Sequence, residues 1–203
     1  EPWRRAMTGR PFPTDGDTRY FPELVGAYQQ IARHTAGMNS LIDYSIGRVL
    51  AKLDKQGLSD NTIIVFTSDH GDMMGDHGLL FKGHLPCRSL LHIPLIISVP
   101  GEGASVIPDT GSNVDVMPTL LSLCGITIPD CVQGVVLPVC GQRPSRPYAF
   151  EAGWSKASPE YHHWCLYTDD WHISIFQNLH DGELYDLNED PWEHRNLFHE
   201  ASY

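Results

Sequence analysis

Residues 62–68 form an apolar run, TIIVFTS, that is followed at once by the charged, glycine-rich segment DHGDMMGDHGLLFKG. The run has the length of a β-strand, but apolar and polar residues do not alternate in it, so both faces of the strand should be covered. A second run, LIISV at 95–99, has the same character. Such strands are typical of parallel sheets between layers of helices, and we expect an α/β fold.

Two helical patterns flank these runs. From Pro22 onward, apolar residues recur at steps of three, four and seven residues, which predicts a long helix that Gly37 interrupts and Gly57 ends. The segment 114–124 predicts a second helix, with Gly125 as its stop. Helix, strand, strand and helix in this order favour a layered α/β core.

The sequence pattern changes after Gly141, where RPSRP reads as a linker. The segments YAFEAGW, WCLYTDDWHISIF and GELYDL then predict short antiparallel strands, with a terminal helix after them. We therefore predict two units. Residues 1–140 form part of a mostly parallel sandwich flanked by helices, and residues 141–203 form a small antiparallel subdomain.

Charge and composition narrow the class of partner. The formal charge is -11, from 14 basic and 25 acidic side chains, which disfavours nucleic-acid binding. No apolar run approaches the roughly 18 residues of a membrane span, and no secretion signal is visible. Cytoplasmic and periplasmic or secreted locations both stay open, as does the oligomeric state.

The charged segment after the first strand is the candidate site. In α/β sheets, ligands bind beyond the carboxyl ends of strands, which is where Asp69 and His70 lie. A carboxylate followed by an imidazole offers two metal-ligating groups on one turn, and Gly71 lets the backbone pass close by. The alternative is that Asp69 caps the next helix and His70 is solvated.

Five stretches carry a family resemblance: NTIIVFTSDHGDMMGDHGLLFKG, LIDYSIGRVLAKLDKQGLSDNT, HIPLIISVPG, NVDVMPTLLSLCGITIPDCVQGVVLP and GELYDLNEDPWEHRNL. Together they resemble the sulfatase family of the alkaline phosphatase superfamily. The first resembles the family's second metal motif and the lysine after it; the others resemble, in turn, the preceding helix, the next strand, a helix-and-loop block and the C-terminal signature. The resemblance runs from about Tyr20 to Leu197 and implies a partial alkaline-phosphatase-like fold.

By this resemblance, Asp69 and His70 match two ligands of the single divalent metal, which is usually calcium in the family. Many members carry Asn where His70 stands, and an imidazole suits manganese or zinc better. Lys82 matches the catalytic lysine that binds the sulfate group. Its spacing from Asp69 is that of family branches with an Asp-His pair, which include phosphonate monoester hydrolases.

Three neighbouring residues are weaker candidates. Asp76 and His77 could orient the metal ligands without binding the metal themselves, or could cap turns in the glycine-rich loop. His84, two residues past Lys82, is a candidate substrate contact. An exposed loop position without a role stays the alternative for Lys82 itself.

Other parts of the family pattern are absent from the sequence. There is no C/S-x-P-x-R motif, from which the formylglycine nucleophile is made, no first pair of metal aspartates and no P-H-x-P segment. We therefore expect the C-terminal part of a sulfatase that acts on a sulfate ester and is inactive and marginally stable alone. The alternatives are a phosphonate monoester or phosphodiester hydrolase and a non-catalytic sulfatase-like domain.

Overall fold

The computed structural model describes residues 22–83, 85–141, 146–153, 162–177 and 181–201. In these ranges no helix combines the length and apolarity of a membrane span. The helices and strands, in chain order, are α1 (Pro22–Lys55), β1 (Ile64–Thr67), α2 (Arg88–Leu91), β2 (Leu95–Ser98), α3 (Val116–Leu123), β3 (Ala149–Gly153), β4 (His163–Tyr167), β5 (Trp171–Phe176) and β6 (Asp181–Asp186).

Helix α1 is continuous for 34 residues. The predicted interruption at Gly37 is wrong: the helix continues through it, because one glycine costs a helix only about 1 kcal/mol relative to alanine. The predicted stop is confirmed. Gly57 adopts a φ of 65°, and its amide and that of Leu58 bond back to Asp54 and Leu53, which closes the helix end.

Strands β1 and β2 form a two-stranded antiparallel sheet in which Phe66 lies opposite Ile96. The parallel pairing predicted from the unalternating runs is wrong for this pair. Parallel neighbours require a crossover, usually a helix that runs the length of the sheet. In the described part of the connecting segment 68–94, the helical structure is limited to a three-residue 3-10 turn, Asp76–Gly78, and the four-residue α2, so the chain turns back on itself.

The C-terminal part forms a four-stranded antiparallel sheet in the order β3-β4-β5-β6. Each strand pairs with the next in sequence, for example Cys165 with Ser174 across β4 and β5. The predicted antiparallel sheet is thus confirmed. The predicted terminal helix is not found among the described residues, where 187–201 contains only turns.

A small apolar core joins the segment 68–94 to this sheet. Its buried members are Met73, Leu85, Cys87, Leu90 and Phe176. Four of them come from the segment between β1 and β2, and the fifth projects from β5. Full burial of such a side chain contributes roughly 1.5–3 kcal/mol, so this core fixes the segment that carries the candidate site.

Candidate active site

The turn after β1 depends on Gly71. Its amide donates to the Leu90 carbonyl at 2.8 Å, and a Cβ at this position would overlap the backbone carbonyl oxygen of Ser89. A side chain is therefore excluded where the turn meets α2. The glycine lets the chain pass close enough to α2 for Asp69 and His70 to be held on a fixed backbone.

Asp69 presents an exposed, ionised carboxylate at this turn. Its side chain is 86% exposed, and Oδ1 accepts the His70 amide at 3.0 Å. Hydrogen bonds from the backbone amides of Asp69 and His70 hold the pKa of this carboxyl below its ordinary value, and the nearby charge of Lys82 adds to the effect. The carboxylate is thus charged and available at neutral pH.

His70 uses its two ring nitrogens differently. Nδ1 lies 2.7 Å from the Gly71 carbonyl oxygen, which can only accept, so Nδ1 carries the hydrogen. In the neutral ring Nε2 is then an acceptor, and the Lys82 ammonium donates to it at 2.9 Å. Oδ2 of Asp69 lies 3.6 Å from the same Nε2. The structure therefore brings Asp69, His70 and Lys82 together.

The donor set fits part of a metal site. An Nε2 lone pair and a carboxylate oxygen are ordinary ligands, and the Nδ1 hydrogen bond to a carbonyl is the contact that orients a ligating imidazole. Two ligands are fewer than the about four to eight that divalent ions take. Among the described residues no cluster of three or more His, Cys, Asp or Glu could hold an ion.

Asp76 contacts α2, which packs against the turn at Gly71. Its carboxylate accepts a hydrogen bond from the Ser89 hydroxyl, and Ser89 is the residue whose carbonyl packs against Gly71. His77 lies against Asp76, with its amide 3.0 Å from Oδ1, and its ring meets His194 edge-on. Both contacts are compatible with an orienting role. His84 lies outside the described residues.

Sequence reasoning missed a support on the other side of the turn. The side-chain Nδ2 of Asn113 donates to the backbone carbonyl of Ser68, the residue before Asp69, at 3.1 Å. Asn113 follows Ser112, whose backbone amide donates at 2.9 Å to the buried Asp115, and Asp115 binds Arg146 through both oxygens at 2.7 Å. The signal was a capping pattern, Ser followed three residues later by Asp.

Comparison with protein-family models gives two matches. The model described as Sulfatase matches residues 8–126. The model described as N-sulphoglucosamine sulphohydrolase, C-terminal, matches residues 75–203. Together they cover nearly the whole chain, including the turn after β1 and the antiparallel sheet.

Two curated relatives are an N-acetylglucosamine-6-O-sulfatase of Bacteroides thetaiotaomicron and an arylsulfatase of Clostridium perfringens. The first is 35% identical over 93% of this chain and 36% of its own length. The second is 34% identical over 80% of this chain and 34% of its own length. The chain thus spans about a third of the length of these relatives.

Solved structures show the same likeness. One, of a protein in complex with its substrate D-glucosamine-2-N,6-O-disulfate, has a TM-score of 0.75 and 33% identity over 87% of this chain and 38% of its own. A phosphonate monoester hydrolase of Agrobacterium radiobacter has a TM-score of 0.74 and 30% identity over 82% of this chain and 37% of its own. The fold is therefore the α/β fold of the alkaline phosphatase superfamily, present in part, and the chain belongs to the sulfatase family.

Proposed function

We propose that this chain is part of a sulfuric ester hydrolase in which Asp69 and His70 bind a divalent metal ion and Lys82 binds the sulfate group. The observation that carries the proposal is the 2.9 Å contact between the Lys82 ammonium and Nε2 of His70. It places a cation beside a lone pair and an ionised carboxylate at the end of one strand. A sulfate ester, with its negative non-bridging oxygens, matches such a site.

Each residue has a separate task in this reading. A bound metal supplies charge neutralisation and acidifies the nucleophile. Asp69 offers an exposed anionic oxygen. His70 offers Nε2, since Nδ1 is engaged by Gly71, and a metal at Nε2 would replace the Lys82 ammonium there. Lys82 presents a fixed ammonium to the sulfate oxygens. Removing one preorganised donor of this kind costs on the order of 10²–10³ in rate.

The nucleophile belongs to a segment outside this chain. The sequence contains no C/S-x-P-x-R motif, and the chain spans 36% of the sulfatase relative's length. We propose that a formylglycine and the remaining metal ligands are supplied by that segment. Calcium is the expected metal, with manganese or zinc as alternatives because one ligand is an imidazole nitrogen.

The substrate class that the relatives favour is a sulfated amino sugar. An N-acetylglucosamine-6-O-sulfatase is among the curated relatives, and the glucosamine disulfate complex is among the similar structures. We also propose that Asp76 and His77 orient the metal ligands and that His84 contacts the substrate. No nucleic acid or membrane partner is proposed.

A second candidate is hydrolysis of a phosphonate monoester or phosphodiester. The likeness to the phosphonate monoester hydrolase is nearly as high as that to the glucosamine disulfate complex, with TM-scores of 0.74 and 0.75. A sulfatase-like domain without catalysis is the third candidate. The intact Asp69, His70 and Lys82 group argues against it.

The test is a substrate panel with the complete protein that carries this chain. We expect hydrolysis of aryl sulfate and of glucosamine 6-sulfate, loss of activity after chelation, and a fall of about 10²–10³-fold in kcat/KM for Lys82→Met. Lys55→Met, an exposed lysine at the end of α1, is the matched control. Faster hydrolysis of a phosphonate monoester would select the second candidate, and no hydrolysis of any ester would select the third.

A further inference from the structure

Glu193 is a buried carboxylate, 1% exposed, on which three hydrogen-bond donors converge. Oε1 accepts from the Tyr167 hydroxyl and from Nδ1 of His172, the latter at 3.0 Å. Oε2 accepts from the backbone amide of Arg88 at 2.9 Å. A carboxylate only accepts, whereas a glutamine would present its own N–H to one of these donors. The residue type is therefore matched to its surroundings.

This carboxylate joins the C-terminal sheet to α2. Tyr167 is in β4 and His172 in β5, with their rings stacked at 4.1 Å and Nε2 of His172 2.7 Å from the Ser174 hydroxyl. Arg88 is the first residue of α2, where a backbone N–H has no partner within the helix. Glu193 supplies that partner from 105 residues away.

Helix α2 in turn supports the metal-binding turn. The Leu90 carbonyl accepts the Gly71 amide at 2.8 Å, and the Ser89 carbonyl packs where a side chain of residue 71 would lie. The Gly71 carbonyl then accepts Nδ1–H of His70 at 2.7 Å, which leaves Nε2 as an acceptor. A shift of α2 would therefore move Gly71, and with it the carbonyl that sets the tautomer of His70.

We propose that Glu193 is a positioning residue that holds α2 at the Arg88 amide and, through Gly71, fixes the ring and tautomer of His70. The catalytic meaning of this role rests on the proposed function of His70 as a metal ligand. The positioning itself is a property of the metal-free protein. It can be measured without turnover.

The test removes one N–H group. Arg88→Pro deletes the donor to Glu193, and proline suits this first helical position because Cys87 before it is extended, with φ -125° and ψ 151°. Arg88→Ala loses the same side chain and keeps the N–H, so it is the matched control. The readout is the imidazole ¹⁵N chemical shifts of His70 in the metal-free protein, together with hydrogen exchange of the Gly71 amide.

We expect Arg88→Pro to move the His70 shifts toward the Nε2–H tautomer and to speed exchange at Gly71, with Arg88→Ala unchanged. In the metal-loaded protein we expect about 10-fold weaker metal binding for the proline variant. Should Arg88→Pro fail to fold, Glu193→Gln is compared with Tyr167→Phe, which removes a donor on the sheet side and leaves the bond to Arg88.

Identical His70 signals in wild type, Arg88→Pro and Glu193→Gln would overturn the positioning role, whatever the activity. Altered His70 signals in a protein that hydrolyses no sulfate ester would leave the positioning role standing and would remove the proposed function. Sulfate hydrolysis by wild type, with unchanged His70 signals and metal affinity in Arg88→Pro, would remove the positioning role alone.

Discussion

His70 shows how one backbone contact decides what a side chain can do. A neutral imidazole has one donor and one acceptor nitrogen, and the tautomer follows the stronger partner. Because Nδ1 lies against the Gly71 carbonyl, the lone pair is on Nε2, facing Lys82. The same ring with its donor on Nε2 could neither accept from the ammonium nor ligate a metal through that atom.

The buried carboxyl group of Glu193 should make the stability of the fold depend on pH. Burial by itself raises the pKa of its carboxyl, but the hydrogen bond and charge of His172, with the Tyr167 hydroxyl and the Arg88 amide, outweigh burial and hold the pKa below its ordinary 4.5. A carboxyl with a lowered folded pKa stabilises the fold above its unfolded pKa. That stability is lost as pH falls through the folded pKa.

We therefore expect the free energy of unfolding of wild type to fall as pH drops below 4.5, the ordinary value for this group, and Glu193→Gln to show a smaller fall over the same interval. Urea unfolding at several pH values measures both. At neutral pH the variant should be less stable by about 1–3 kcal/mol, because a buried donor loses its acceptor. The exposed Glu189→Gln is the control, and equal pH slopes in wild type and Glu193→Gln would contradict the assignment.

At the scale of elements, the important one is the segment 68–94 between β1 and β2. It contains little regular structure, and its order comes from contacts at both ends. Asn113 holds the Ser68 carbonyl on one side, and α2 holds Gly71 on the other. The buried Met73 and Leu90 then join the segment to Phe176 of the C-terminal sheet. The candidate site is thus a loop with a rigid support.

Gly71 lies against the backbone of α2, which predicts that a side chain there is not tolerated. Gly71→Ala places a methyl group against the Ser89 carbonyl, so the turn or α2 must shift. We expect a loss of about 1–3 kcal/mol in the free energy of unfolding, as for other overpacked sites, and loss of activity in the complete protein. Thermal unfolding and the sulfate ester assay measure these two effects.

Gly103→Ala is the matched control, since a Cβ at residue 103 meets nothing within 4 Å. At a compatible position alanine is neutral or stabilises by roughly 0.4–1 kcal/mol. If Gly71→Ala were as stable as Gly103→Ala and equally active, the contact between the turn and α2 would not be needed.

At the scale of the whole molecule, large apolar side chains face solvent on both α1 and the β1–β2 pair. Met38 and Val49 of α1 are 56% and 68% exposed, and Ile96 of β2 is 60% exposed. Such faces and short sheets are ordinarily covered, and uncovered ones promote association. The uncovered surface fits a chain that spans about a third of its relatives' length.

This uncovered apolar surface should make the isolated chain associate. The isolated 203-residue chain should bind a hydrophobic dye at neutral pH, associate with increasing concentration and unfold over a broad temperature range. Dye fluorescence, light scattering and calorimetry measure these properties. Met38→Lys combined with Ile96→Lys should reduce dye binding and association. A sharp, concentration-independent melt of the unsubstituted chain would contradict the prediction.

The sequence by itself determined the local features: the strand before Asp69, the turn at Gly71, the glycine stop after α1 and the antiparallel strands of the C-terminal part. These depend on apolar periodicity and on glycine, which act over a dozen residues or fewer. Asp69, His70 and Lys82 could be picked out for the same reason, since they stand within 14 residues of one another.

Only the tertiary structure decided the direction of β2 against β1, the tautomer of His70 and the partners of the buried charges. Glu193 meets Arg88 across 105 residues and Arg146 meets Asp115 across 31, distances over which no local pattern specifies a contact. Local runs of apolar residues tell which segments are buried. Which segments then pair depends on the packing of the whole chain, because pairing is selected by the total surface buried and by the hydrogen bonds that must be satisfied.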